Sequence, residues 1–360
     1  MPFLINPLKG AGIPEGPNLA SGEIATSPDA ANALIGQCPR AAVTPLVSAD
    51  GLATQLGVGQ IFVKDERGRM GLGSFKALGA AHAIAKAAAR RVEDGTAPDH
   101  ATALAGETYV CASAGNHGLS VAAGAHVFGA RAVVYLSNAV PEDFAGRLRG
   151  KGAEAVRAGD TYEASMAAAA KAAGDKGWQL LSDSSWLGYT GMPRDVMEGY
   201  LIMGDEVVRQ IDRPPTHVFL QAGVGGLAAA GAATARRCWG GDVRIVVVEP
   251  EAAPALLESV RAGKPVTTQG PVSNMGRLDC KEPSQLALKY LAREADAFMT
   301  VTDDEALETG ALLEKHDLAT SPSGGAGIAG LRHIGAHASE LGLDGSSRVL
   351  CFLSEGPVDG

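Results

Sequence analysis

The chain has 360 residues, 46% of them hydrophobic, with 31 basic against 40 acidic residues and a formal net charge of −9. That is enough apolar material for a large core and for more than one domain, while an acidic balance without a long basic run argues against nucleic acid or an anionic membrane as partner. Cys38, Cys111, Cys238, Cys280 and Cys351 are scattered and form no CxxC pair, so neither a disulfide framework nor a zinc cluster is expected, and a reducing cytoplasm fits.

The opening "MPFLINPLKGAGIPEGPNLA" has no basic segment leading into an apolar core, so no secretory signal is expected. No apolar stretch reaches the length of a membrane span without Gly or charged interruptions. Beyond this irregular, Pro- and Gly-rich opening, short β-branched runs alternate with longer alanine-rich segments, the pattern of an α/β fold. Brief continuous apolar runs mark buried parallel strands: "YVCAS" near Val110, "RAVVYL" near Val134, "THVFLQA" ending at Ala222, "RIVVVEP" ending at Pro250 and "RVLCFLS" ending at Ser354. Helices are expected over Leu119–Phe128, Tyr162–Ala173, Arg194–Gln210, Leu227–Cys238, Asp304–Lys315 and Gly327–Glu340. Two open, mostly parallel sheets flanked by helices follow. Residues 1–82 with 193–360 are expected to form a large domain and residues 83–192 a small one, with the ligand site in the cleft between them.

Four features carry chemistry. Lys76, in "VKDERGRMGLGSFKALGAAHAIA", stands where an apolar helix begins, although helix starts favour anions. Apolar surroundings and backbone dipoles would disfavour its charge and free the amine as a nucleophile or for binding an aldehyde. "SAGNHG", Ser113 to Gly118, exposes backbone N–H groups at a helix start, with Asn116 as an orienting amide or a plain cap. "QAGVGGLAAAG", from Gln221, curls around Gly223, Gly225 and Gly226 into a nest for phosphate oxygens. The same turn satisfies G-x-G-x-x-A, with Glu249 ending the next strand, so a nicotinamide-dependent dehydrogenase is a competing reading. In "FLSEGPVDG", Ser354 offers a hydroxyl at a strand end. His333 and His337 have metal-ligand spacing but no third ligand, and no metal site is expected.

An amine for an aldehyde, a nest for a phosphate, an amide for a ring substituent and a hydroxyl for a ring nitrogen together describe pyridoxal 5'-phosphate. "VKDERGRMGLGSFKALGAA", "SAGNHG", "PTHVFLQAGVGGLAA" and "VVVEPEAA" resemble the pyridoxal-phosphate enzymes of the tryptophan-synthase β-subunit fold, specifically the diaminopropionate ammonia-lyase family. "NMGRLDCKEPSQLALKYL" and "LLSDSSWLGYTGMP" resemble stretches of that family too, and threonine and serine dehydratases lack a counterpart of the former.

The resemblance implies a homodimeric lyase acting by α,β-elimination on a small β-substituted amino acid, most simply 2,3-diaminopropionate to pyruvate and ammonia. It implies Lys76 as the residue binding the cofactor's aldehyde, next to Phe75, with Asn116 at the ring hydroxyl. Gly223, Val224, Gly225, Gly226 and Leu227 would form the phosphate loop, and Ser354 would face the pyridine nitrogen. Asp183 takes the family's catalytic aspartate role, and Ser113, Ala114, Gly115 and His117 would bind substrate. The sequence departs from the family at Ala114, where an acidic residue is usual, and at "TSPSGGAG" from Thr320, which replaces a glutamate-containing segment. A threonine or serine dehydratase, or one acting on 3-hydroxyaspartate, is therefore the alternative on the same fold.

Overall fold

A computed structural model describes residues 2–357. Two sheets organise it. The larger has seven strands: β1 (Phe3–Ile5), β2 (Leu46–Ser48), β3 (Gln60–Asp65), β8 (His217–Gln221), β9 (Arg244–Pro250), β10 (Ala297–Val301) and β11 (Arg348–Leu353), in the order β1-β10-β9-β8-β11-β3-β2. The smaller consists of β4 (Thr108–Ala112), β5 (Arg131–Leu136), β6 (Glu154–Arg157) and β7 (Gln179–Leu180), in the order β6-β5-β4-β7. Every pairing in the smaller sheet is parallel, and in the larger only β1 and β2 run antiparallel to their neighbours. Strands β4, β8 and β10 are buried at every position. Helices cover both faces of such strands, so their sequences are apolar runs and not alternations.

The five strands expected from such runs are all present. Strand β3 escaped that reading because Lys64 sits inside it, fully buried, and a charge in a strand reads as loop. Its ammonium meets Glu206 at 2.6 Å and the Thr44 carbonyl at 2.7 Å. Arg69 joins the same cluster through Glu66 and Glu206, both at 2.7 Å, and all four charged side chains are essentially inaccessible. Paired charges can be buried where lone ones cannot. The cluster pins the chain between β3 and Lys76 to the helix Gly191–Gln210. The expected helix Gly327–Glu340 breaks after His333, because Gly335 takes φ +52° and a short 3₁₀ turn follows. His333 and His337 therefore do not share a helix face. His333 lies 3.6 Å from Glu305, while His337 pairs with Glu340 at 2.6 Å and stacks on Phe3.

Both expected domain boundaries fall inside helices, Lys76–Glu93 and Gly191–Gln210. These two pack on each other at glycine positions: a Cβ at Gly79 would lie 2.5 Å from the Tyr200 ring, and one at Gly199 would lie 2.5 Å from the Leu78 carbonyl oxygen. The first turn of one helix carries Lys76 and the middle of the other carries Tyr200, so this close packing sets the geometry of the site. No helix among the described residues is long and apolar enough to cross a membrane.

Candidate active site

Lys76 is the first residue of its helix, as the sequence implied. The backbone before it turns tightly, with Met70, Gly71 and Gly73 all at positive φ. The end of β11 then clamps it: Phe75 N–H donates to the Ser354 carbonyl at 3.1 Å and Gly356 N–H to the Gly73 carbonyl at 3.1 Å. Ser354 is thereby held beside Lys76, and its hydroxyl makes no hydrogen bond to any described residue. The Lys76 ammonium lies 5.3 Å from the Phe75 ring centroid and 5.9 Å from that of Tyr200.

The protonation state differs from the sequence expectation. Burial, the largest influence, does disfavour the Lys76 charge, but the Asp183 carboxylate in direct contact more than offsets it, and the ammonium is held above the ordinary lysine range. Asp183 shows the mirror image: burial would raise its pKa, yet the Lys76 ammonium holds the carboxyl well below the usual range. Apolar contacts and backbone dipoles are what the local sequence shows; the carboxylate that reverses their effect is brought from the other sheet by the segment after β7. That segment is fixed by Ser185, whose N–H meets Ser284 Oγ at 3.1 Å and whose own hydroxyl accepts the Leu286 N–H at 2.9 Å. Ser284 N–H in turn donates to the Val224 carbonyl at 2.9 Å, which ties Asp183 to the glycine-rich turn.

That turn joins β8 to the helix Gly226–Trp239. Gly225 requires its glycine, with φ +102°. The cradle is tight: a Cβ at Gly223 would meet Leu278 Cα at 3.0 Å and Cys280 Sγ at 3.1 Å. None of the backbone N–H groups from Gly223 to Ala228 meets an oxygen of the described residues. A run of open N–H donors in a glycine-rich turn at a helix N-terminus is suited to a phosphate. Nearby, Tyr200 Oη is buried with no hydrogen-bond partner among the described residues. Free donors, an orphaned phenol and an amine within one cleft fit an aldehyde-bearing phosphate ester. The dinucleotide reading does not fit, because Glu249 is buried with its two oxygens accepting the N–H groups of Leu256 and Leu257 at 2.7 and 2.8 Å and cannot hold a ribose.

The "SAGNHG" turn opens the helix Asn116–Val127. Ser113 Oγ accepts the N–H groups of Gly115 and Gly118, so it shapes the turn from within. Ala114 is exposed, whereas Gly115 and His117 are buried. The N–H groups of Asn116 and His117 have no acceptor among the described residues. His117 Nε2 donates to the Leu181 carbonyl at 2.9 Å, which fixes the tautomer and leaves Nδ1 buried and unpaired. Burial, chiefly, lowers its pKa, so the ring is neutral at physiological pH. The Asn116 side chain donates to Glu355 Oε2 at 2.5 Å.

Three residues of this cleft escaped the sequence reading: Tyr200, Glu355 and Arg277. Glu355 directly follows Ser354, is 5% exposed, and accepts hydrogen bonds from Asn116 and from Ser321 of the "TSPSGGAG" segment. Its signal was available as an acidic side chain inside a strand-end turn of small residues. Tyr200 lies mid-helix and Arg277 in an irregular segment, and neither has a local signature.

Comparison with known proteins decides the class. The sequence pattern of pyridoxal-phosphate dependent enzymes matches residues 39–355. The chain belongs to that family. It is 30% identical over 337 residues to the diaminopropionate ammonia-lyase of Escherichia coli strain K12, covering 88% of this chain and 85% of that protein. The L-threonine ammonia-lyase of Geobacter sulfurreducens is also 30% identical, over 69% of this chain and 59% of that one. The crystal structure of the Escherichia coli diaminopropionate ammonia-lyase in complex with D-serine superposes with a TM-score of 0.87 at 27% identity, over 99% of this chain and 94% of that chain. The protein is thus a pyridoxal-phosphate-dependent lyase with the two-domain tryptophan-synthase-β-like fold, as its sequence implied.

Proposed function

We propose that the enzyme eliminates ammonia from 2,3-diaminopropionate and yields, after hydrolysis, pyruvate and a second ammonia. The observation that carries this reading is the contact of Lys76 with Asp183 beside the phosphate nest. An amine leaves poorly unless protonated, so elimination of ammonia needs an acidic partner as well as a base. Pyridoxal phosphate supplies a sink for the negative charge that develops at Cα. In this reading Lys76 holds the cofactor's aldehyde carbon and, once released as a neutral amine, takes the Cα proton. Asp183, ionised and in hydrogen-bond reach of the same nitrogen, steadies the ammonium that Lys76 becomes on taking that proton and holds the departing amine as the proton passes on to it. Gly223 to Leu227 hold the phosphate, Phe75 and Tyr200 flank the ring, Asn116 orients the ring hydroxyl and Ser354 faces the ring nitrogen. Ser113 and Gly115 shape the turn whose open N–H groups at Asn116 and His117 receive the substrate.

The two sheets are read as the cores of the two domains, divided near residues 82 and 192, and the protein as a cytoplasmic homodimer. Ala114 favours a second reading. An alanine there cannot take a proton from the second face of Cα, so the L-enantiomer should be preferred, and a serine, threonine or 3-hydroxyaspartate dehydratase would need no acid at that position. Pyruvate or oxo-acid release from L- and D-diaminopropionate, L-serine, L-threonine and 3-hydroxyaspartate separates the readings. The proposal expects the highest kcat/KM for L-diaminopropionate, and a hydroxy amino acid preferred by tenfold or so, about 1.4 kcal/mol, would overturn it.

A further inference from the structure

Arg277 stands between the two glycine-rich turns. Its carbonyl oxygen borders Gly223 of the phosphate nest, 3.3 Å from where a Cβ there would lie, and its side chain runs across the "SAGNHG" turn on the other side. Gly115 makes that passage possible: a Cβ on it would meet Arg277 Cδ and Nε at 3.2 Å and Cζ at 3.4 Å. The guanidinium is fixed from one edge only. Nε donates to Glu355 Oε2 at 3.3 Å, and the Arg277 N–H donates to Ser323 Oγ at 3.1 Å. Glu355 is already engaged elsewhere, since Ser321 donates to Oε1 and Asn116 to Oε2, so three of the carboxylate's roughly four acceptor sites are taken. Both terminal nitrogens of Arg277 are left without an acceptor among the described residues, on a side chain that is 34% exposed. Gly115, against which the guanidinium lies, immediately precedes the open N–H groups of Asn116 and His117.

A guanidinium held at Nε presents its remaining N–H groups as a planar fork, the shape that receives a carboxylate through two parallel hydrogen bonds. Every α-amino acid brings one such group. We propose that Arg277 anchors the α-carboxylate of the substrate, with Glu355 as the positioning residue that aims it and Gly115 as the gap that lets it reach. This rests on the amino-acid-lyase reading and deepens it, naming a residue that the phosphate loop and the lysine do not involve. The negative group at this turn, the Glu355 carboxylate, is taken up by Asn116, Ser321 and the Nε edge of Arg277, and Ala114 adds no second one next to Gly115.

The test uses the cofactor-loaded enzyme and L-alanine, which has no leaving group, so that its binding is read by the change in cofactor absorbance without turnover. L-Alaninamide is the partner probe, identical except for the carboxylate. Arg277→Gln should raise the Kd for alanine by about tenfold or more, the worth of a lost charge-assisted hydrogen bond, and leave that for alaninamide within about twofold. Arg277→Lys keeps the charge but not the fork and should fall between. Retained cofactor content in both variants shows that the site has folded. Equal weakening of alanine and alaninamide, no weakening of either, or wild-type enzyme that binds the two probes alike would overturn the assignment. An effect confined to 3-hydroxyaspartate, through its second carboxylate, would overturn it too. Failure to release pyruvate from diaminopropionate, with alanine still bound through Arg277, would instead sink the proposed reaction and leave this anchor standing.

Discussion

Glu206→Gln is the sharpest test of how the fold holds the site together. The Glu206 carboxylate receives Lys64 at 2.6 Å, both terminal nitrogens of Arg69 at 2.7 and 2.8 Å, and the Thr44 N–H at 3.2 Å, while being 3% exposed. Lys64 and Arg69 balance Glu66 and Glu206, so the wild-type cluster is neutral, and the substitution leaves one buried positive charge uncompensated. Breaking a buried pair in this way costs about 3–5 kcal/mol. A chain of this size has an unfolding entropy of roughly 0.75 kcal/mol per kelvin, so the melting temperature should drop by about 4–7 °C. Thermal unfolding of the cofactor-loaded protein measures it. Lys64→Met added to Glu206→Gln restores neutrality and should recover at least half of the loss. A single variant that melts within a degree of wild type, or a double variant that melts lower than the single, would refute the reasoning.

Gly223→Ala pushes a methyl group into Leu278 Cα at 3.0 Å and Cys280 Sγ at 3.1 Å, and should weaken cofactor affinity about tenfold or more in equilibrium dialysis while leaving the far-ultraviolet circular dichroism unchanged. Asp183→Asn should lower kcat for diaminopropionate far more than it weakens cofactor binding, and parallel loss of both would assign Asp183 a structural role. Burial, the largest cause, raises the Glu249 carboxyl from 4.5 to about 8. A folded pKa above the unfolded one means stability that is fully present below pH 4.5 and is lost as the pH rises through 8. Urea titrations across that window should show wild type losing stability relative to Glu249→Gln, and a constant difference between the two would contradict this.

Much of the large-scale plan was legible because parallel strands buried on both faces are written as continuous apolar runs, as at His217–Gln221 and Arg244–Pro250. Where a strand carries a buried charge, as Gln60–Asp65 does with Lys64, the same reading misses it, since the compensating Glu206 is far away in sequence. The site divides along the same line. Lys76 and the two glycine-rich turns carry their chemistry locally: a cation at a helix start, and backbone freed by glycine. The state of Lys76 is not legible locally, because Asp183, which sets it, arrives from the other sheet. Arg277 touches Glu355, and Tyr200 reaches Lys76, only because β11 ends beside Lys76 and two helices cross at glycines, and no local pattern encodes either contact.

The account turns on which nitrogen bears the cofactor. Borohydride reduction of the yellow enzyme, followed by proteolysis and mass mapping, should place a single pyridoxyl group on Lys76 and bleach the absorbance together with the activity. A label on any other lysine, or activity surviving a fully labelled Lys76, would contradict it.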